Sequence, residues 1–317
     1  MAAHSRFTRL FLGVFLGLVA ITGFVIYESL QCDFEDGLTY YKLPNGKLIK
    51  KFDPNQEIEL FTTLSPKCDF ENEKLVCPDV RHLGKTLLRQ TQLATIRMMA
   101  AFDRICRKHR IRYWMWRGAL LGAIRHEGFI PWDNELDIGI MKTDYEKFRI
   151  VSHELPVDIF LQNASSDHAF GKHKHTILAK LRDQQSCFGN CVRAGCKFHD
   201  GFMIDIFGFE EDASFLRETT NNKVNFNVRK TDVFPLKEAR FEGFSVFVPN
   251  HYKMILRKNY GSDYYEIPKI RKRCPPGQIV GLPWTTCQEL NRMNSTEKNF
   301  HIYSTSISKV KSVSWYL

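Results

Sequence analysis

Five consecutive residues, Asp133-Asn134-Glu135-Leu136-Asp137, place carboxylates at alternate positions. In an extended chain, side chains two apart point to the same side. A strand over residues 135–141 therefore projects Glu135 and Asp137 together, roughly 6.5–7 Å apart along the backbone. Two carboxylates facing one cleft repel and tend to take up a proton. A bound divalent cation removes that cost, and oxygen-only ligands suit a hard ion, Mg²⁺ or Mn²⁺, of the kind that handles phosphates. Further along, residues 201–209 read GFMIDIFGF, an apolar run interrupted by Asp205. A buried carboxylate without a partner is costly. Asp205 therefore needs a cation, or backbone donors at a strand end.

The elements around these acids fit phosphate chemistry. Ile111 to Trp116 is mostly apolar and reads as a buried strand. Gly118 follows, then Ala119 to Ile124, a helix start of small residues that includes Gly122. A strand, a glycine turn and a helix N-terminus make a phosphate seat, because free backbone N–H groups point outward there. Arg117 and Arg125 flank the seat with charges suited to a diphosphate. Pro131-Trp132 fixes an extended entry to the acidic strand. From about Leu87, Ile96, Met99, Phe102 and Cys106 recur at helical steps, which puts Arg97, Arg104, Arg107 and Lys108 towards water. Thr143 caps a second helix over 144–153. Short strands follow at 158–161 and 176–181. Lys180, near the end of the latter, either reaches nucleotide phosphates or faces solvent from an edge. Phe241 to Phe244 is a hairpin turn, and a helix over 251–259 ends at Tyr260-Gly261.

The stretch from Gly118 to Gly139 resembles the signature of the LicD/fukutin family, a branch of the nucleotidyltransferase superfamily. That pattern is a glycine, a small residue, Leu-Leu-Gly, two residues, Arg, a short spacer, Ile-Pro-Trp-Asp and then alternating acids. The family's middle Asp is Glu135 here, and the longer arm shifts a bound ion. Asp205 resembles the third carboxylate, at the family's Asp-Ile-Phe. The likeness covers about residues 90–265. It implies an α+β fold, with a nucleotidyltransferase-like mixed sheet flanked by helices. It also implies a metal held by Glu135, Asp137 and Asp205, while the phosphate seat read above places the donor at Arg117, Gly118, Gly122, Arg125 and Lys180. The implied reaction moves a phospho-alcohol (phosphocholine, ribitol phosphate or similar) from a CDP-linked donor to a hydroxyl of a glycan or glycoprotein. Asp133 positions the acceptor or serves as base, and Asp205 is the other candidate base. Two rivals stand beside this reading: a DxD-type glycosyltransferase using a nucleotide sugar, and a non-catalytic glycan-binding relative supported only by the Glu135 departure.

Residues 10–27 form an uncharged apolar run near the minimum for a membrane span, preceded by Arg6 and Arg9 and followed by acids. This pattern predicts a 1–9 cytosolic tail, a 10–27 signal anchor and a lumenal remainder, in a single-pass type II protein of the Golgi or ER. A cleaved signal peptide is the alternative. The remainder divides into a stem or accessory region at 28–85, the catalytic domain at 86–265 and a basic, proline-containing tail at 266–317. Two sequons, at Asn163 and Asn294, and nine cysteines agree with an oxidising lumen. Cys68 with Cys77, and Cys274 with Cys287, would each close a short loop, though connectivity is not deducible from sequence. Cys187, Cys191, Cys196 and His199 offer a structural zinc site as an alternative to disulfides. Net charge is +10, which in a lumenal protein suits anionic ligands rather than nucleic acid. The chain carries no P-loop, no G-x-G-x-x-G, no G-x-S-x-G and no H-E-x-x-H motif.

Overall fold

The computed structural model describes residues 40–42, 48–50, 68–84, 87–130, 133–167, 177–188, 200–220, 223–266 and 281–292. The apolar stripe read from about Leu87 becomes α1 (Leu87–Lys108), and Ile96, Met99, Phe102 and Cys106 are fully buried. Phe102 meets Tyr113 and Phe148 edge to face, which fastens α1 to the back of a mixed sheet. Before α1 lie two small hairpins, β1 (Tyr40–Lys42) with β2 (Leu48–Lys50) and β3 (Asp69–Glu71) with β4 (Lys74–Val76).

After α1 come β5 (Tyr113–Met115), α2 (Arg117–His126), β6 (Leu136–Met141) and α3 (Lys142–Val151). Next are β7 (Ile159–Gln162), β8 (Ala179–Asp183), the short β9 (Cys187–Phe188) and the long β10 (Met203–Asp212). The sheet is completed by β11 (Phe215–Thr220) and β12 (Lys223–Arg229). A short α4 (Lys230–Val233) and the hairpin of β13 (Lys237–Phe241) and β14 (Phe244–Val248) lead to α5 (Tyr252–Tyr260). The described part closes with β15 (Gly281–Leu282) and α6 (Cys287–Arg292).

The centre of the sheet is β10. It runs parallel to β6 along one edge, and on the other edge its first half pairs antiparallel with β8 and its second half with β11. β5 extends the sheet beyond β6, β7 beyond β8, and β12 beyond β11. Alternation along the strands gives two unlike faces. Tyr113, Met115, Ile138, Ile140, Ile204 and Ile206 form the apolar back under α1 and α3, while the front carries the polar residues. The architecture is the α+β mixed sheet flanked by helices that the sequence predicts.

Gly139, in β6, lies between Trp114 on β5 and Phe207 on β10. A Cβ there would stand 2.4 Å from Trp114 Nε1 and 2.5 Å from Cε2 of a fully buried indole. Gly139→Ala is expected to destabilise the fold by about 3 kcal/mol, the upper end for overpacking. Urea unfolding against wild type checks this; an unchanged midpoint would mean the indole moves freely.

Several expectations are corrected. Arg97 does not face water: it is buried, paired through Nη1 and Nη2 with Asp158, and its Nε donates to the Cys77 carbonyl. Cys68 pairs with Cys77 as expected, but Cys287 pairs with Cys187, not with Cys274. The reason is topological: β9 and β15 are antiparallel neighbours, which brings Cys187 beside the start of α6. The disulfide removes the Cys187 thiolate from the zinc set; Cys191, Cys196, His199 and Cys274 lie outside the described residues. Cys106 is the free, buried cysteine among the described ones. Asn163 of the first sequon is buried. Its Nδ2 donates to the Tyr145 hydroxyl and its Oδ1 accepts from the backbone of Ser165 and Ser166, so the folded chain does not present this amide to solvent. The expected anchor at 10–27 and Asn294 lie outside the described residues. Among the described residues no helix is long and apolar enough to cross a membrane.

Candidate active site

Register assembles the site. Asp205 on β10 stands directly opposite Asp137 on β6, and on its other side directly opposite Lys180 on β8. Gln162 on β7 pairs with Lys180, and the Trp116 N–H reaches the Asp137 carbonyl. Side chains in register share a face, so one row across the front of the sheet reads Trp116, Asp137, Asp205, Lys180, Gln162. The strand begins at Leu136 rather than at Glu135, which lies just before it. It still lies within electrostatic reach of Asp205 and Asp133. Asp133 stands at the start of α2, where a Cβ added to Gly118 would sit 3.0 Å from its Oδ2. Its Oδ1 accepts from the Glu135 N–H.

Burial, and at Glu135 and Asp137 also crowding of like charge, shows in the protonation of these groups. Burial first, and then the charge of Asp205, push the Asp137 carboxyl well above the usual carboxylate range, with Asp133 and Glu135 adding to the effect and Arg117 opposing it. Glu135 is raised by burial and by Asp205 and Asp133, with Lys180 and Arg182 opposing. Asp133 is raised by burial against two backbone donors. A carboxyl whose folded pKa is raised binds more protons folded than unfolded, so its contribution to stability is present below the unfolded value and is lost as pH rises through the folded one. In chelator, the contribution of this cluster is therefore expected to fall as pH rises above the ordinary carboxylate range. Urea midpoints across that rise, compared with a variant in which Glu135 and Asp137 are both amides, check the sign.

Lys180 resolves towards the site rather than solvent. Its Nζ donates to Asp205 Oδ1 at 2.5 Å and approaches Met203 Sδ at 2.9 Å. The neighbouring Arg182 is held by Gln162 Oε1 and the Gly201 carbonyl, both at 2.9 Å.

The arginines expected to clamp phosphate already have protein partners. Arg117 Nη2 donates to Glu218 Oε1 at 2.7 Å, and its guanidinium stacks 3.9 Å from the Phe207 ring centroid. Arg117 sits at φ 44°, a left-handed value that a non-glycine adopts at a cost, and these contacts hold it there. Arg125 binds the carbonyls of Tyr264 and Glu266, fastening α2 to the chain beyond α5. Gly122 is accounted for by packing, since a Cβ there would lie 2.5 Å from the Gly128 carbonyl.

Two participants escaped the sequence reading. Glu218 is fully buried on β11 and accepts from both Trp116 Nε1 and Arg117; burial outweighs those partners and raises its pKa. Tyr260 closes α5. Its phenol is within electrostatic reach of Asp137 and Asp133 and is pushed up to about 12 by partial loss of water and by those charges. An acid inside a β-strand run and a tyrosine before a helix-ending glycine were the available signals.

Residues 110–251 match the family model described as the LicD/FKTN/FKRP nucleotidyltransferase domain. The chain carries a domain of the LicD/FKTN/FKRP family. Over 109 residues it is 31% identical to the lipopolysaccharide cholinephosphotransferase LicD of Haemophilus influenzae, covering 34% of this chain and 38% of that protein. It is 44% identical over 158 residues to an uncharacterized protein of Rickettsia typhi, covering 50% and 42% respectively. It is 25% identical over 164 residues to the ribitol 5-phosphate transferase FKRP of Homo sapiens, covering 50% and 29%. The matched stretches thus span less than half the length of each of these relatives. The LicD-type domain contains Asp133, Glu135, Asp137, Lys180, Asp205 and Glu218, whereas Tyr260 lies beyond the matched segment.

The donor chemistry of the row suits a hard cation. Among the described residues no three acidic, histidine or cysteine side chains converge closely enough to cage an ion unaided. Mg²⁺, however, is commonly held by one or two carboxylates plus substrate phosphates and water. Asp137 and Asp205, opposed in register with crowded charge, offer such a pair, and Glu135 flanks them.

Proposed function

We propose that this protein transfers a phospho-alcohol from a CDP-linked donor to a glycan hydroxyl in the lumen of the secretory pathway, with Mg²⁺ or Mn²⁺ held by Asp137 and Asp205 and flanked by Glu135. The observation that carries the reading is the in-register pairing of Asp137, Asp205 and Lys180 inside a domain of this family. The printed activities of LicD and FKRP, a cholinephosphotransferase and a ribitol 5-phosphate transferase, supply the cargo class.

In the reaction, the acceptor oxygen attacks the phosphorus that bears the alcohol. A new P–O bond forms to the acceptor, the P–O bond to CMP breaks, and the hydroxyl proton passes to a base. Of the two carboxylates considered for that base, Asp205 is engaged by Lys180. Asp133 pairs with no cationic side chain among the described residues, and its pKa is raised, which suits a proton acceptor. The start of α2 faces the same space through Gly118, so its free N–H groups orient the diphosphate. Arg117, fixed by Glu218, adds positive potential without having to reorganise. The cation, when bound, supplies neutralisation of the diphosphate and of the leaving CMP.

A donor screen tests the proposal: the purified protein with Mn²⁺, a glycan acceptor and CDP-choline, CDP-ribitol, UDP-sugars or GDP-sugars. CMP release with a phosphodiester product is the expected result. Transfer of a bare sugar with UDP or GDP release would instead establish the glycosyltransferase reading. Glycan binding without turnover of any donor would establish the non-catalytic one.

A further inference from the structure

We infer that Lys180 is a placeholder cation that couples metal binding to donor binding: without ligands it neutralises Asp205, and the diphosphate draws it away as the divalent ion arrives. The inference rests on the phosphotransferase reading above and adds a regulation of that site.

Lys180 is the positive member of the row, next to Asp205 and one strand further from Asp137. It is 9% exposed, so its ammonium has left most of its water. One carboxylate oxygen at 2.5 Å and one thioether at 2.9 Å are its hydrogen-bond partners among the described residues. A thioether is a weak acceptor, which leaves this ammonium poorly compensated apart from Asp205. Arg182 differs: its hydrogen bonds to Gln162 and the Gly201 carbonyl fix it in place. The mobile four-carbon stem of lysine lets the charge move where a fixed guanidinium does not.

A divalent ion, if held by Asp137 and Asp205, would compete with this ammonium for Asp205. Like charges at such a separation repel strongly in a partly buried site. Metal alone is therefore opposed by Lys180. A diphosphate brings negative charge to the same place, so a released ammonium finds oxygen acceptors there. Linkage then requires reciprocity: nucleotide tightens the metal by the same factor as the metal tightens nucleotide.

Mn²⁺ binding, followed by electron paramagnetic resonance and calorimetry with and without CDP, tests this on the whole protein. Wild type should bind Mn²⁺ weakly alone and about tenfold or more tighter with CDP, a coupling in the usual allosteric range. Lys180→Met should bind Mn²⁺ alone several-fold tighter, bind CDP more weakly, and lose most of the coupling. Lys180→Gln, which can still hydrogen-bond Asp205, serves if the Met variant folds poorly, and the same direction is expected. Equal Mn²⁺ affinity and equal coupling in wild type and variants would overturn the placeholder role while leaving the metal site standing. Failure of every form to bind Mn²⁺ and CDP would overturn this role and the phosphotransferase reading together.

Discussion

Asp137→Asn is expected to abolish phospho-alcohol transfer, by about 10³-fold or more, while making the ligand-free protein more stable. The first effect follows from the row geometry. Asp137 is one of two carboxylates opposed in register across the parallel strands, and an amide there offers a neutral oxygen to the cation and lowers the charge that holds it. Losing electrostatic stabilisation at a reacting centre costs about 10²–10³-fold for a single hydrogen-bond donor, and a metal-holding charge should cost at least as much. The second effect follows from the same crowding. Asp137 is raised well above its ordinary range by burial and by Asp205. Neutralising it removes a repulsion that opposes folding, an exchange of stability for function common at active sites. A melt in chelator and a single-turnover assay with Mn²⁺ check both halves. A variant that kept its activity would remove Asp137 from the metal site. One that unfolded would show the carboxylate to be structural.

Arg81→Ala is expected to destabilise the fold by about 3–5 kcal/mol, as when one partner is removed from a buried ion pair. Arg81 is fully buried. It grips both oxygens of Asp183 at 2.8 and 2.7 Å, donates to the Pro283 carbonyl at 2.7 Å and binds Asp79 through Nε. Asp183 is 1% exposed and ends β8, the strand that carries Lys180. Truncating the arginine leaves that carboxylate and a carbonyl without their donor. The control is Asp79→Ala, whose carboxylate is partly exposed, with an expected cost of about 1 kcal/mol. Denaturant midpoints of the two variants should differ several-fold in displacement; similar displacements would refute the buried pair as the stronger contact.

The acids, the helix before them and the strands bearing Asp137 and Asp205 were legible because each rests on local pattern. Alternation reported the strand, the three- and four-residue recurrence reported α1, and a lone Asp in an apolar run marked β10. What stayed hidden depends on contacts distant in sequence. Arg97 reads as solvent-facing until Asp158 is brought beneath it. Arg117 reads as a free phosphate clamp until Glu218 arrives from β11. Cys287 has a cysteine thirteen residues away, yet pairs with one at a separation of 100, because β9 and β15 are neighbours. The choice for Lys180 between solvent and site was undecidable until the register of β8 against β10 was known.

Asp137 is the second residue of β6, and Asp205 the third of β10, in two strands that run the same way. The chemistry is thus gathered at the amino ends of the parallel pair, whereas open α/β sheets customarily receive ligands beyond the carboxyl ends. The segments that lead into these strands, rather than those that leave them, accordingly border the reacting groups. The Ile-Pro-Trp-Asp signature falls in the lead-in to β6, so a change of residue type there is expected to reach the reacting groups directly.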